Sequence, residues 1–314
     1  MSKFLFYNTL LFLISMVFLI GCNQKAEPAL HDTPTSGTIT ISVDESFKPV
    51  IEAQIQVFEA TNPGTKINAI YKPEAECIKD LYFDSATRLV IITRGLTYIE
   101  AKIFGDSLAY VPRSDKVAND AIAVIVNSKN NDTTFTLNDL QGQLTGLLKN
   151  NKKIVFDGMN ATSAIRFAID SILKGKPFDL DKVRAVKNSK EVLAFVASDT
   201  AAIGFVGFSW IGNPEDTAQV NMLKKVKIAY VQCKVCVDSP FVKPTQASIA
   251  NRRYPLTRGL YYILKENYSG LGSGFASFLQ YERGQLIFRR SYLSPAQMSF
   301  KIRNVHLTGE AKKE

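Results

Sequence analysis

Three short turns concentrate the side chains of this chain that are best suited to hold a small anion. The first is Val43-Asp44-Glu45-Ser46-Phe47. Ser46 is a natural helix N-cap. The free backbone N–H groups of Phe47 and Lys48, with the positive end of the helix dipole, favour an anion there. The second is Thr93-Arg94-Gly95-Leu96-Thr97. Thr93 offers a hydroxyl, Arg94 a planar fork that matches an oxyanion, and Gly95 a place for the backbone to turn. The third runs from Phe156 through Asp157, Asn160, Ala161, Thr162 and Ser163 into a helix that carries Arg166. Its amide and hydroxyl groups crowd one helix start. Each turn also has a plainer role open to it: Ser46, Asn160 or Thr162 as a cap, and Arg94 in an ion pair with Glu100. None brings a nucleophile together with a base. G-x-S-x-G, H-E-x-x-H and Walker patterns are absent, and the two histidines are His31 and His306. These residue types describe binding rather than catalysis, so no enzyme activity, cofactor or metal is expected.

Alternating strands and helices must position such turns. Residues 38–43 alternate and are rich in β-branched side chains, which predicts a strand. Residues 47–60 carry apolar side chains at 47, 50, 51, 55, 57 and 58, close to helical spacing, and Thr61-Asn62-Pro63-Gly64 stops the helix. Further strands are expected at 66–71, 88–93, 121–127, 153–156, 202–206 and 226–237, and further helices at 74–83, 97–104, 163–173, 190–197, 257–266 and 274–286, with 137–148 partly helical. The continuous apolar character of 88–93 and 121–127 suggests strands buried on both faces. The pattern implies an α/β fold with mostly parallel sheet and helices on both faces, and the length suggests two such sheets. In open α/β sheets ligands sit at the carboxyl ends of strands, where helices begin. All three turns lie there.

The first 22 residues bear on the compartment. Lys3 is followed by a run over 4–20 that is apolar apart from Asn8, Thr9 and Ser15, ending in Leu19-Ile20-Gly21-Cys22. A basic start, a greasy core and small residues at the exit describe a secretory signal over 1–21. The last four residues look like a bacterial lipobox, in which Cys22 is acylated and becomes the mature N-terminus. Residues 22–37 are polar with two prolines and read as a flexible tether. A lipid-tethered protein of the periplasm or cell surface is expected.

The 314 residues are 46% hydrophobic and 11% aromatic, enough for a real core, and carry a net charge of +9. Export and the scatter of the basic residues argue against nucleic acid, so the charge suits at most a small anion or a solvated surface. Of the four cysteines, Cys77, Cys233 and Cys236 remain after Cys22. Cys233-Lys234-Val235-Cys236 is a C-x-x-C, but no second such pair exists, and on a strand over 226–237 residues three apart face opposite ways. Buried thiols or one disulfide are expected there rather than metal or redox chemistry.

With those residues in place, the chain from about 38 to 307 resembles bacterial periplasmic phosphate-binding proteins, the substrate-binding components of phosphate ABC importers. Ser46-Phe47 with Pro49 stands where the family has a Ser/Thr-Phe pair, and Thr93-Arg94 stands for its Ser-Arg pair. Ala121-Ile122-Ala123-Val124 opens the second lobe, and Met159-Asn160-Ala161-Thr162 occupies the place of the Gly-Ser-Gly-Thr loop. Gly204-Phe205-Val206, Tyr254-Pro255-Leu256-Thr257-Arg258 and Gly284-Gln285 complete the likeness. The family's arginine before the phosphate loop is missing, with Phe156 near its place; Arg94 or Arg166 could supply the charge instead.

The resemblance implies a type II periplasmic-binding fold. Two α/β lobes, 38–115 with 242–307 and 116–241, would be joined by a two-crossing hinge near 112–118 and 237–244, with 308–314 as a tail. It implies inorganic phosphate in the interlobe cleft, delivery to a membrane permease of an ABC transporter, and a monomer anchored through lipid. The implied phosphate site comprises Ser46, Phe47, Thr93, Arg94, Asn160, Ala161, Thr162 and Ser163, and loss of Arg94 is expected to weaken binding severely. Glu74, Glu76 and Asp157 are candidates to accept the ligand's proton, which sulfate lacks. The alternatives are another oxyanion or a phosphorylated metabolite on the same fold, or a surface lipoprotein without a transport role.

Overall fold

The computed structural model describes residues 32–158 and 162–298. The chain divides into Met1–Asp32 and a second unit from Thr33, which holds every element below. The signal segment 1–21, Cys22 with most of the tether, Asn160, Ala161 and the expected tail 308–314 lie outside the described residues.

Strand β1 (Gly37–Asp44) leads through a short 3-10 turn into α1 (Lys48–Thr61). There follow β2 (Thr65–Lys72), α2 (Glu74–Phe83), β3 (Thr87–Ile92), α3 (Tyr98–Leu108) and the long β4 (Arg113–Asn127). Then come β5 (Thr134–Phe135), α4 (Leu137–Leu144), β6 (Lys153–Phe156), α5 (Ser163–Phe167), β7 (Val183–Ala185), α6 (Ser189–Ser198) and β8 (Ala202–Gly207). The chain continues with α7 (Thr217–Leu223), β9 (Val226–Ile228), β10 (Tyr230–Gln232), β11 (Phe241–Val242) and α8 (Gln246–Ala250). It closes with β12 (Thr257–Leu264), α9 (Leu271–Gln280), α10 (Glu282–Arg290) and β13 (Ser294–Pro295). No described helix is long and apolar enough to cross a membrane.

The α/β class is as expected, but the sheet is mixed and continuous. Its order is β2-β1-β3-β12-β4-β8-β6-β7. The patches around β1 and β6 are parallel, and β12 and β4 join them through antiparallel ladders. Two cores flank that junction. One gathers Ile41, Phe47, Phe58, Leu89, Leu260 and Phe275, and the other Val124, Phe156, Ile165, Val192, Phe205 and Leu256. Stacking of Phe156 on Phe205, 4.8 Å between ring centres, is one contact of the second core. A buried ring of this size contributes about 1.5–3 kcal/mol through burial. Along β4 the change of core falls between Ala118 and Ala121, and along the return it falls between Leu256 and Leu260.

Four expected elements need correction. Residues 257–266 form a strand, not a helix. Leu260, Ile263 and Leu264 fit helical spacing, but Arg258, Leu260 and Tyr262 are buried while Thr257, Gly259 and Tyr261 are half-buried. The open edges of β3 and β4 both require a partner for their backbone groups, and β12 supplies it.

Residues 226–237 are not one strand. After β9 and β10 the chain turns, with Asp238 and Ser239 at positive φ, and Cys233 bonds to Cys236 across a Cα separation of 5.6 Å. An extended strand would hold those Cα atoms roughly 10 Å apart. The disulfide was among the expected states; Cys77 stays a buried thiol.

The helix expected at 274–286 is two helices. The first starts at Leu271, so it absorbs most of the glycine-rich segment, and the break falls at Tyr281. The helix at 163–173 is also subdivided, with Ala168–Leu173 widening into π-helix.

Candidate functional site

The carboxyl ends of β1, β3, β6 and β8 meet where the two cores adjoin. Asp44 ends β1 and caps the 3-10 turn: its Oδ1 accepts from the Ser46 backbone N–H at 3.0 Å and from the Ser46 hydroxyl at 2.9 Å. The turn at 208–210 grips the same backbone from the other core. Ser209 donates to the Ser46 carbonyl at 2.6 Å, and the Trp210 indole donates to the Glu45 carbonyl at 3.2 Å. Gly207 makes that approach possible, because a Cβ there would lie 2.9 Å from the Ser46 carbonyl oxygen and 3.0 Å from an Arg258 nitrogen.

Arg258, on β12, ties the junction together. Its Nε donates to Asp120 Oδ2 at 2.9 Å, one terminal nitrogen to the Ser163 hydroxyl at 2.7 Å and the other to the Ser46 hydroxyl at 2.9 Å. Its guanidinium lies over the Phe47 ring, 4.8 Å from the centre. A single buried cation therefore gathers the first turn, the third turn and both crossing strands. In the sequence Arg258 stands only as the end of Tyr254-Pro255-Leu256-Thr257-Arg258, with no role of its own. The available signal was a charged residue inside an apolar run, hidden by the helical reading of that run.

A second bridge joins Glu74 and Arg166. Glu74 accepts from the Thr93 backbone N–H at 3.0 Å and from the Thr93 hydroxyl, and Arg166 Nε donates to it at 2.7 Å. Burial pushes the Glu74 carboxyl up, but the Arg166 bonds and charge with the Thr93 donors outweigh it and hold it below the usual range. Arg94 is turned away from this bridge, with both terminal nitrogens on Glu100 at 2.7 and 2.8 Å.

A cavity of about 310 Å³ opens beside the Arg258 cluster, bounded by Asp44, Glu45, Asp157, Thr162, Tyr71 and Trp210, with Lys48, Lys72, Lys187 and Lys190 around it. Its floor is acidic. Ser189, at the start of α6, donates its hydroxyl to Glu45 at 2.7 Å and lies 3.3 Å from Asp157. Burial raises the Glu45 carboxyl to about 7, with Asp157 and Asp44 adding repulsion against the pull of Ser189. Burial raises Asp44 to about 6 although Arg258 opposes it, and burial also pushes Asp157 above the usual range.

Of the sequence-derived residues, Asp157 and Thr162 line this cavity. Ser46, Phe47 and Ser163 are fully buried in the Arg258 cluster next to it. Thr93 stands on the Glu74–Arg166 bridge, Arg94 lies outside the lining, and Glu76 is exposed on α2. Glu45 and Lys190 escaped the sequence reading: an acid in a turn and a lysine on a helix carry no signal of their own.

A family model described as "PBP superfamily domain" matches residues 28–283. No curated protein matches the chain. Among solved structures, a Clostridium perfringens protein described as a phosphate ABC transporter substrate-binding protein, with phosphate bound, is 21% identical, with a TM-score of 0.68 over 83% of this chain and 100% of that one. A phosphate transport receptor of Vibrio cholerae is 18% identical, with a TM-score of 0.59 over 82% of this chain and 99% of that one. A mutant OxyR of Corynebacterium glutamicum is 12% identical, with a TM-score of 0.55 over 93% of this chain and 74% of that one. At these identities the likeness is one of fold.

Proposed function

The chain belongs to the PBP superfamily domain family, and from that premise we propose that it is an extracytoplasmic receptor which binds phosphate, as the inorganic ion or as the phosphoryl group of a small metabolite, and delivers it to an ABC importer. The observation that carries the reading is the convergence of Ser46 and Ser163, each at a helix start, on Arg258 beside a cavity with lysines around it. Two solved relatives described as phosphate receptors share the fold.

The mechanism follows from the lining. Lysines draw an anion to the mouth by long-range attraction. Inside, Thr162 and the backbone N–H groups of the helix starts replace water around the phosphoryl oxygens, and the buried Arg258 cluster holds those helix starts together. Phosphate at neutral pH keeps a proton, which Asp157 or Asp44 accepts; sulfate has none to give and meets only repulsion. Closure of the two halves over the ligand completes its desolvation. Acylation of Cys22 would hold the receptor, as a monomer, at the membrane that houses its permease.

Calorimetric titration of the purified protein, stripped of ligand, with phosphate and then sulfate tests the reading. One-to-one binding of phosphate and none of sulfate is expected. Equal binding of both would remove the proton-based selectivity, and no heat with phosphate or any phosphate ester would remove the phosphate assignment.

A further inference from the structure

Two oxygens of the cavity's acids, Asp44 Oδ2 and Asp157 Oδ1, are buried and have no hydrogen-bond partner among the described residues. Their residues are 2% and 6% exposed, and both line the same 310 Å³ cavity. Buried acceptors of this kind are costly unless something donates to them. The nearby cation does not: Arg258 directs its bonds to Asp120, Ser46 and Ser163. The third acid, Glu45, accepts from the Ser189 backbone N–H at 3.3 Å and shares the Ser189 hydroxyl with Asp157. Three carboxyl groups thus line one cavity with few donors of their own.

Phosphate alone meets this floor poorly. It brings one or two protons and places its negative oxygens among three acids. A protonated amine brings three N–H donors and a compensating charge. The Trp210 ring in the wall also favours a cation, whereas the Tyr71 ring already holds Lys48, 5.2 Å from its centre. Among the described residues no group of three or more His, Cys, Asp or Glu is arranged to hold a metal ion, so the donor set points to an organic cation. The outer lining has the opposite character. Lys187 and Lys190 are exposed and, among the described residues, have no carboxylate at ion-pair distance, whereas Lys48 and Lys72 are paired with Glu52 and Asp80 at 3.7 and 2.6 Å. The size agrees as well: about 300 Å³ is the lower end for pockets that enclose a small organic molecule.

We infer that the ligand is a small phosphorylated amine, its ammonium group resting on Asp44 and Asp157 and its phosphate turned toward Lys187 and Lys190. The inference rests on the phosphate reading, narrows it to a zwitterionic ester, and gives Asp44 and Asp157 the ammonium in place of the phosphate's own proton. The floor then recognises the amine, the lysines recognise the phosphate, and neither end alone satisfies the whole cavity.

The test is calorimetric titration of the purified protein with 2-aminoethyl phosphate, ethyl phosphate, inorganic phosphate and ethanolamine. The aminoethyl ester is expected to bind about 100-fold more tightly than ethyl phosphate, the scale of losing one partner of a buried charge pair. Asp157→Asn should cut that preference to roughly tenfold or less. Asp44→Asn, which keeps the oxygen that caps the Ser46 turn, should do the same if Asp157→Asn fails to fold. Ethyl phosphate or inorganic phosphate binding as tightly as the aminoethyl ester would overturn the amine and leave the phosphate reading standing. Ethanolamine binding as tightly as the ester would overturn both, as would silence from all four.

Discussion

Arg258 and Asp120 stand directly opposite each other across the β12–β4 ladder and form an ion pair of 2.8 Å, with side chains 3% and 0% exposed. The pair sits between the two cores, at the step where both strands leave one and enter the other. Removing one partner leaves a buried charge uncompensated, which costs more than the pair itself contributes. Arg258→Met is therefore expected to lower the unfolding free energy by roughly 3–5 kcal/mol in urea titration and to abolish ligand binding. Adding Asp120→Leu should recover part of the stability but not the binding. A loss below about 1 kcal/mol for Arg258→Met would show that the pair does not hold the junction.

Arg94 was the arginine favoured from sequence, yet its fork is engaged by Glu100, which is drawn down to about 2: the Arg94 bonds and charge and the Thr97 donors overcome the opposing effect of burial. Arg94→Ala is expected to leave phosphate affinity within about twofold and to cost on the order of 1 kcal/mol or less, because the pair is partly exposed. A loss of affinity of tenfold or more would return Arg94 to the site.

Glu45 gives the ligand-free protein a pH signature. Its folded value, raised by burial to about 7, lies above the 4.5 of an unperturbed glutamate. Between those values the folded state holds the extra proton, so Glu45 favours folding below about pH 4.5 and that contribution is lost as pH rises through 7. Glu45→Gln, neutral at every pH, should change stability little near pH 4 and raise it by on the order of 2 kcal/mol near pH 8. Melting curves across that range check the sign. A wild type and variant that run parallel throughout would contradict the raised value.

The proposed lipid anchor rests on Cys22. Cys22→Ser should move the protein from the membrane fraction to the soluble fraction without changing its melting temperature, since the change lies outside the unit that begins at Thr33. Retention of the serine variant in membranes would rule out acylation as the anchor.

Much of the plan was legible in the residues. The alternation in 38–43, the helical spacing of 47–60 and the apolar runs at 88–93 and 121–127 each report a local period, and a local period is a property of consecutive side chains. They yielded β1, α1, β3 and the second-core part of β4, and with them the turns at strand ends where the cavity lies. Where the periods coincide the sequence was mute: in 257–266 the apolar residues satisfy both spacings, and only the unpaired edges of β3 and β4 select a strand.

The site depended on the tertiary structure in a stronger sense. Ser46, Phe47 and Ser163 were identifiable as residues at helix starts. That they meet on Arg258 rather than Arg94 follows from contacts spanning 212 and 95 residues of chain. Whether an arginine serves a local partner such as Glu100 or a distant one such as Asp120 is decided by which carboxylate burial leaves without another cation. The acid floor shows the same dependence. Asp44, Glu45 and Asp157 are ordinary turn residues in sequence, and they become one group of perturbed carboxyls only because the ends of β1 and β6 bring them to one cavity, where burial raises all three. Sequence by itself determined the local elements and the kinds of donor available. Folding decided which charges share one low-dielectric space, because electrostatic coupling depends on distance and burial and not on order along the chain.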